Sequence, residues 1–203
     1  MTENATLDFY DANASAYAEY ASQKVERDWL GQFIAKLGEI APGGHVLDYG
    51  CGSGWAGASM AEAGFQVDAL DGSAGLAAQA KDRYGLSVRV APFEALDDAA
   101  TYNGIWASFS LLHARRTAIP GLIGRIGRAL VQGGITYIGL KEGEGEAPDS
   151  LGGHYSYVSE AELDGWLRSA GCPEVEIHKE TGQGYDGTPI AMLHAFARRE
   201  GAA

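Results

Sequence analysis

The sequence predicts a three-layer α/β fold with a doubly wound, mostly parallel sheet covered by helices on both faces. Two observations predict it. From residue 43 onward, short apolar segments alternate with segments of helical periodicity. A turn with glycine at positions 50, 52 and 54 follows the first of these strands and leads into a helix. Such alternation gives parallel strands whose carboxyl ends border a ligand site.

The elements can be assigned in order along the chain. Residues 1–42 have a helical pattern and precede the first strand. Strands are predicted at 45–48, 66–71, 87–91, 104–109 and 135–141, separated by helices at 55–63, 74–84 and 119–130. Gly64 and Gly85 end the first two of these helices.

Beyond residue 141 the alternation stops. Residues 142–158 are acidic and rich in glycine, which predicts an irregular lid loop. Ser159 and Glu162 form a capping box that begins a helix. Strands at 175–179 and 190–197 follow with no helix between them, which predicts an antiparallel hairpin.

We therefore predict one domain over residues 1–203. Its parts are a helical cap (1–42), a ligand-binding core (43–141), an acidic lid loop (142–158) and a carboxyl-terminal helix with a β-hairpin (159–203).

The glycine turn and a carboxylate at the end of the second strand predict a nucleotide site. Asp71 can accept two hydrogen bonds from adjacent ribose hydroxyls. Gly52, Gly54 and Gly57 satisfy the dinucleotide fingerprint, which favours a nicotinamide cofactor. Asp48 would repel a pyrophosphate and attract a cation, which favours S-adenosylmethionine with its ammonium and sulfonium groups.

Residues 46–54, Val-Leu-Asp-Tyr-Gly-Cys-Gly-Ser-Gly, closely resemble the first motif of class I S-adenosylmethionine-dependent methyltransferases. Asp71 stands where that family keeps its ribose-binding acid. The resemblance implies a Rossmann-like, seven-stranded sheet ending in an antiparallel hairpin strand, with S-adenosyl-L-methionine as cofactor and S-adenosyl-L-homocysteine as product. Residues 102–113 and 140–145 resemble the tellurite-resistance-like branch of the family.

The resemblance also implies a set of cofactor-binding residues. They are Tyr10, Tyr17, Asp48, Gly50, Cys51, Gly52, Gly54, Trp55, Asp71, Gly72, Ser73, Phe93, Glu94, Ser110 and Leu111. Phe93 would stack on the adenine or Glu94 would accept from its amine, because Pro92 occupies the place where many relatives have aspartate. Tyr10 and Tyr17 either cap the site or, two helical turns apart, pack in the core.

His113 is the predicted catalytic residue, because its ordinary pKa suits removal of a proton near neutral pH. The alternative is a structural histidine that bonds to backbone. Methyl transfer can also proceed by positioning and exclusion of water without a strong base. Tyr155 and Tyr157 follow the acidic loop and are predicted to contact the substrate.

Composition restricts the partners. The formal net charge of −12 argues against nucleic acid, whose binding needs a basic surface. An Asn/Asp-Pro-Pro-aromatic signature, which relatives acting on bases and glutamine carry, is missing after the fourth strand.

The opening residues do not resemble a leader peptide, so we expect a cytoplasmic protein that acts without a membrane, as a monomer or homodimer. Cys51 and Cys172 are expected to be buried apolar fillers, with neither a metal nor a disulfide.

These observations together predict methyl transfer from S-adenosylmethionine to a small molecule by in-line displacement, with an oxygen, nitrogen or sulfur-like nucleophile. Two alternatives stay open. One is a nicotinamide-dependent oxidoreductase that uses Gly52, Gly54 and Gly57. The other is a module that binds S-adenosylmethionine without catalysis.

Overall fold

The computed structural model describes residues 3–21, 27–148, 154–183 and 189–201. The amino-terminal region contains two helices, α1 (Glu3–Ala21) and α2 (Arg27–Ile40). The core elements are β1 (His45–Tyr49), α3 (Trp55–Glu62), β2 (Gln66–Asp71), α4 (Ala74–Tyr84), β3 (Arg89–Val90), β4 (Tyr102–Ser108), α5 (Ile119–Ala129) and β5 (Leu130–Lys141). The carboxyl-terminal elements are β6 (Glu146–Pro148), β7 (His154–Ser156), α6 (Glu160–Ser169), β8 (Glu174–Gln183) and β9 (Pro189–Arg198).

Seven strands form one sheet in the order β3-β2-β1-β4-β5-β9-β8. The first five are parallel, and β9 is antiparallel to both of its neighbours. The predicted fold class is therefore confirmed, including the antiparallel hairpin. Successive strands are added on one side of β1 up to β3 and on its other side from β4 onward, and this switch opens a crevice at the carboxyl ends of β1 and β4.

Strand boundaries differ from the prediction most in β3, β5 and β8, and β8 runs to Gln183 rather than to residue 179. β5 begins at Leu130 rather than at residue 135, because residues 131–134 lie inside the strand as an irregularity between the pairs Tyr102–Leu130 and Gly104–Ile135. A positive φ of 74° at Gly133 allows this local distortion. β3 is shorter than expected, with two residues.

The prediction of an irregular loop over residues 142–158 is wrong in part, since β6 and β7 pair as an antiparallel ribbon. Side chains fix this polar segment to the core. Buried Ser156 donates from Oγ to the carbonyl of Ala114 at 2.7 Å, and the backbone N–H of Arg116 donates to Glu146 at 2.6 Å. Residues 149–153 of the predicted lid lie outside the described residues. The capping box at Ser159 is confirmed.

The core has one apolar cluster on each side of the sheet. On the α2 side, the rings of Trp106 and Tyr137 stack at 3.9 Å, and Phe33 of α2 packs against Trp106. On the other side, α5 and α6 cover β4 and β5 with aliphatic side chains. Cys51 and Cys172 are buried free thiols.

We expect Gly127→Ala to destabilise the fold, although alanine normally favours a helix. A Cβ at Gly127 would lie 2.1 Å from the backbone oxygen of Ala170, so α5 and α6 would have to separate. Gly121→Ala in the same helix is the matched control, because its Cβ would meet no atom within 4 Å. Urea unfolding should show a loss of about 1–3 kcal/mol for Gly127→Ala and a small gain for the control. Equal stability of the two variants would contradict this packing.

Candidate functional site

A cavity of about 260 Å³ lies at the carboxyl ends of β1, β2 and β4. Helix α1 forms one of its walls. The lining residues are Thr6, Leu7, Tyr10, Tyr17, Gly50, Gly52, Asp71, Gly72, Leu76, Pro92, Phe93, Glu94, Ser108, Phe109, Ser110, His113 and Ala114. This is the position at which ligands bind in open α/β sheets.

The structure brings most of the predicted site residues to this cavity. Those on its wall are Tyr10, Tyr17, Gly50, Gly52, Asp71, Gly72, Phe93, Glu94, Ser110 and His113. The predicted residues that do not line it are Asp48, Cys51, Gly54, Trp55, Ser73, Leu111, Tyr155 and Tyr157. The sequence analysis missed Thr6, Leu7, Leu76, Pro92, Ser108, Phe109 and Ala114 as wall residues.

The glycine turn lies very close to the segment after β4. A Cβ at Gly50 would lie 2.2 Å from the Cβ of Ser110, and φ at Gly50 is 77°. Ser110 donates from Oγ to the carbonyl of Tyr49 at 2.8 Å, which ties the two segments together. On the opposite side of the turn, Gly54 allows α4 to pack closely, because a Cβ at this position would lie 2.7 Å from the Cβ of Ala80.

Asp71 connects the glycine turn to α4. One carboxylate oxygen accepts from the backbone N–H of Gly52 at 2.7 Å, and the other accepts from that of Ser73 at 2.8 Å. Burial raises the pKa of Asp71, while these two hydrogen bonds oppose the rise. Each oxygen keeps a lone pair for a ligand hydroxyl.

Asp48 lies beneath the turn, with 2% of its surface exposed. It accepts from the backbone N–H of Gly57 at 2.8 Å, at the beginning of α3. Burial raises its pKa to about 7, the hydrogen bond from Gly57 lowers it, and the nearby charge of Asp71 raises it further. Asp48 therefore acts on the cavity through the field of its charge and through the backbone that it holds.

Helix α1 is attached through Asp11, at the amino terminus of α4. Its Oδ1 accepts from the hydroxyl of Ser73 and, at 2.9 Å, from the backbone N–H of Gly75. Ser73 is the N-cap of α4 and is 1% exposed, so it serves the helix terminus. This attachment places Tyr10 and Tyr17 on the cavity wall, with their rings edge to face at 4.9 Å.

His113 is oriented by two partners that the sequence analysis did not find. Its Nδ1 lies 3.3 Å from the carbonyl oxygen of His154, and its Nε2 lies 3.0 Å from the hydroxyl of Tyr10. A carbonyl only accepts, so Nδ1 carries the proton and Nε2 of the neutral ring accepts from Tyr10. The basic nitrogen therefore points toward the α1 wall of the cavity.

Tyr155 and Lys141 lie behind His113. The Tyr155 ring is 5.4 Å from the imidazole, and Nζ of Lys141 lies 3.3 Å from the centre of the Tyr155 ring. Lys141 is 8% exposed, at the carboxyl end of β5. The β6–β7 ribbon thus places an aromatic ring beside the histidine, and Lys141 at the end of β5 lies against that ring. Tyr157 contributes its backbone carbonyl, which accepts from Arg116 at 3.1 Å.

The predicted adenine end is built on Tyr49 and Phe93. The Tyr49 hydroxyl donates to the carbonyl of Phe93 at 2.6 Å, and burial raises the pKa of Tyr49. The two rings meet edge to face at 5.2 Å, which leaves Phe93 on the cavity wall. Glu94 lies on the same wall.

Within the described ranges, no group of three or more histidine, cysteine, aspartate or glutamate residues could hold a metal ion. The helices of these ranges include none with the length and apolar character that crossing a bilayer requires. Burial raises the pKa of Cys51, and that of Cys172 to about 11, so both thiols stay protonated.

Residues 46–134 match the model of a family described as a methyltransferase domain. The solved structure of the 1,6-didemethyltoxoflavin N1-methyltransferase of Burkholderia thailandensis, with 1,6-didemethyltoxoflavin and S-adenosylhomocysteine bound, is similar at 22% identity and a TM-score of 0.73, over 98% of this chain and 89% of that chain. TehB of Haemophilus influenzae is similar at 19% identity and a TM-score of 0.68, over 82% of this chain and 61% of that chain.

Phosphoethanolamine N-methyltransferase 2 of Haemonchus contortus, in complex with S-adenosyl-L-methionine, is similar at 16% identity and a TM-score of 0.66, over 84% of this chain and 52% of that chain. Likeness at these identities establishes the shared fold. A search of curated protein sequences gives no match.

We expect Asp48→Asn to remove a pH dependence of stability. Because the pKa of Asp48 is raised from 3.8 to about 7, the folded chain binds this proton more tightly than the unfolded chain. The stabilisation is complete below about pH 4 and is lost as the pH rises to about 7. The free energy of unfolding of the variant, relative to that of the wild type, should therefore increase by up to about 4 kcal/mol as the pH rises between these limits.

Urea unfolding of both proteins at pH 4 and pH 8 measures this difference. Asp82→Asn, an acid-to-amide change at an exposed residue of α4 outside the cavity, is the control. An equal pH dependence of Asp48→Asn and wild type would show that Asp48 is ionised throughout.

Proposed function

We propose that this chain is a class I S-adenosylmethionine-dependent methyltransferase and that it transfers the methyl group to a small molecule that approaches beside His113. The observation that carries this proposal is the pairing of a ribose-binding carboxylate, Asp71, with the Tyr10–His113 hydrogen bond on the wall of one cavity. The first can hold a nucleoside, and the second can hold and move a proton.

The residues of the cavity fit the cofactor. Gly50 and Gly52 present backbone without a Cβ, and at Gly50 there is no room for one. Asp71 offers lone pairs to the ribose hydroxyls, and two carboxylates, the buried Asp48 and the half-buried Asp71, favour a ligand with positive charge. Bound S-adenosylmethionine supplies a methyl group activated by a sulfonium.

Phe93 and Glu94 are the residues we assign to the adenine. Phe93 offers a ring that is braced by Tyr49, and Glu94 offers an acceptor for the exocyclic amine. With the ribose at Asp71, the methyl end of the cofactor would lie against the wall formed by Ser108, Ser110 and His113.

Tyr10 and His113 form the proposed proton path. Tyr10 takes the proton of the acceptor on its hydroxyl oxygen and passes its own proton to Nε2 of His113 as the bond from the acceptor to the methyl carbon forms and the bond from sulfur to that carbon breaks. The imidazolium that results keeps its hydrogen bond from Nδ1 to the carbonyl of His154. The α1 wall excludes water from this step.

We further propose that the methyl acceptor is a small molecule of the cytoplasm. The net charge of −12 opposes binding of nucleic acid, and the cavity is a pocket rather than a long groove. The similar protein of Burkholderia thailandensis holds a small heterocycle, 1,6-didemethyltoxoflavin. Membership of the tellurite-resistance-like branch stays a prediction from residues 102–113 and 140–145, as do the four parts of the domain and a monomeric or homodimeric state.

Calorimetric titration with S-adenosylmethionine, S-adenosylhomocysteine and NADH tests the cofactor assignment. We expect the two adenosyl ligands to bind at micromolar concentration and NADH not to bind. Asp71→Ala should weaken both adenosyl ligands by at least about tenfold, because the ribose loses a charged acceptor.

Asp68→Ala is the matched control, since it removes an acid from the same strand at a residue outside the cavity. Binding of NADH in place of the adenosyl ligands would favour the oxidoreductase alternative. Tight binding without turnover on a broad acceptor panel would favour the non-catalytic module.

The Tyr10–His113 pair can be tested before an acceptor is known. Nitrogen-15 NMR of the imidazole at pH 8 should report a proton on Nδ1 and a hydrogen-bonded lone pair on Nε2. Tyr10→Phe should shift the Nε2 signal and leave the proton on Nδ1, since the carbonyl of His154 is unchanged. A proton on Nε2 in the wild type would contradict this path. With an acceptor in hand, Tyr10→Phe should lower kcat by about a hundredfold with little change in KM for the cofactor.

A further inference from the structure

Phe109 follows the last residue of β4 in a conformation that favours glycine. Its φ is 50°, and among the described residues only Ala100 shares a positive φ without being a glycine. A left-handed backbone is costly for a bulky residue and persists where the surroundings fix it. Such residues often lie at ligand sites, and Phe109 lies on the cavity wall.

Contacts with β5 hold Phe109 in place. Its backbone N–H donates to the carbonyl of Gly139 at 3.0 Å. Its ring occupies the space that a side chain at Gly139 would need, since a Cβ there would lie 3.1 Å from Cε2 of Phe109 and 3.2 Å from the hydroxyl of Tyr137. Glycine at position 139 therefore admits the ring.

Three buried or half-buried rings support Phe109 from behind. His194 meets it edge to face at 5.7 Å. Tyr137 and His194 are joined by a hydrogen bond of 2.7 Å between the hydroxyl and Nδ1, and Trp29 stacks on His194 at 4.5 Å. The Phe109 ring therefore forms a rigid partition between the cavity and the polar groups of Tyr137 and His194.

We propose that Phe109 is a specificity-determining residue that limits the size of the transferred group and of the acceptor. The inference rests on the proposed function, because it takes the wall of Ser108, Phe109 and His113 as the methyl end of the cavity. The ring leaves room beside the sulfonium for a methyl group and a small or flat acceptor. Without the ring, the cavity would extend over Gly139 toward Tyr137 and His194.

Cofactor analogues with larger groups on sulfur test this proposal without any acceptor. Calorimetry would compare S-adenosylmethionine with its S-ethyl and S-benzyl analogues on the wild type and on Phe109→Gly, which keeps the left-handed backbone. The wild type should bind the S-benzyl analogue at least about tenfold more weakly than S-adenosylmethionine. In Phe109→Gly the two affinities should agree to within about threefold.

Ala100→Gly is the matched control, because it relieves the other positive φ at a residue outside the cavity and should keep the wild-type discrimination. Phe109→Leu, with a smaller side chain, should give intermediate discrimination and serves if Phe109→Gly does not fold. Equal binding of the methyl and benzyl analogues by the wild type, or discrimination that survives in both Phe109 variants, would overturn the proposal. Failure of the wild type to bind S-adenosylmethionine itself would instead overturn the proposed function.

Discussion

The carboxylate of Asp71 is the contact on which the arrangement of the site depends. It accepts backbone N–H groups from the glycine turn at Gly52 and from the N-cap of α4 at Ser73. Ser73 in turn donates to Asp11 of α1. One half-buried carboxylate therefore sets the relative positions of the floor of the cavity and of its α1 wall, and both would lose their register without it.

The carboxylates of the site carry an electrostatic cost when no ligand is bound. The carboxylates of Asp48, which is buried, and of Asp71, which is half-buried, lie close together, and their removal from water raises the pKa of each. Such groups cost stability when they are ionised, and a cation in the cavity offsets that cost. The two carboxylates thus lower the stability of the chain when no ligand is bound, and such a cost in stability is common at functional sites.

Local patterns predicted the fold because the core strands and helices each carry their own signal. The period of the apolar residues located β1, β2, α3 and α4, and the glycine turn with Asp71 located the cavity. The same patterns did not distinguish neighbours within the turn. Gly52 faces the cavity, while Cys51 and Gly54 pack away from it, because consecutive backbone units in a tight turn point in different directions.

Those local patterns could not predict contacts between residues that are far apart in the sequence. Tyr10 and His113 are 103 positions apart, and the carbonyl that orients the imidazole belongs to His154 of the ribbon. The ribbon itself is polar and short, so its pairing depends on contacts with Ala114 and Arg116 rather than on an apolar pattern. Residues 104–109 were predicted as a strand, but the positive φ of Phe109 depends on Gly139, thirty positions away.

The way α1 is attached has a consequence for the behaviour of the chain over time. Among its described side chains, the fully buried ones are small, namely Thr6, Ala14 and Ala18, while Phe9, Tyr10 and Tyr17 are half-buried. Its docking therefore depends in large part on hydrogen bonds, those of Asp11 with α4 and that of Tyr10 with His113, whose free energies are modest. We expect a helix held in this way to open and close, and a ligand that touches Tyr10 and Tyr17 to shift that equilibrium toward closure. Backbone amides of α1 then exchange their hydrogens more slowly as the ligand concentration rises, so the order of the amino-terminal helix reports how full the cavity is.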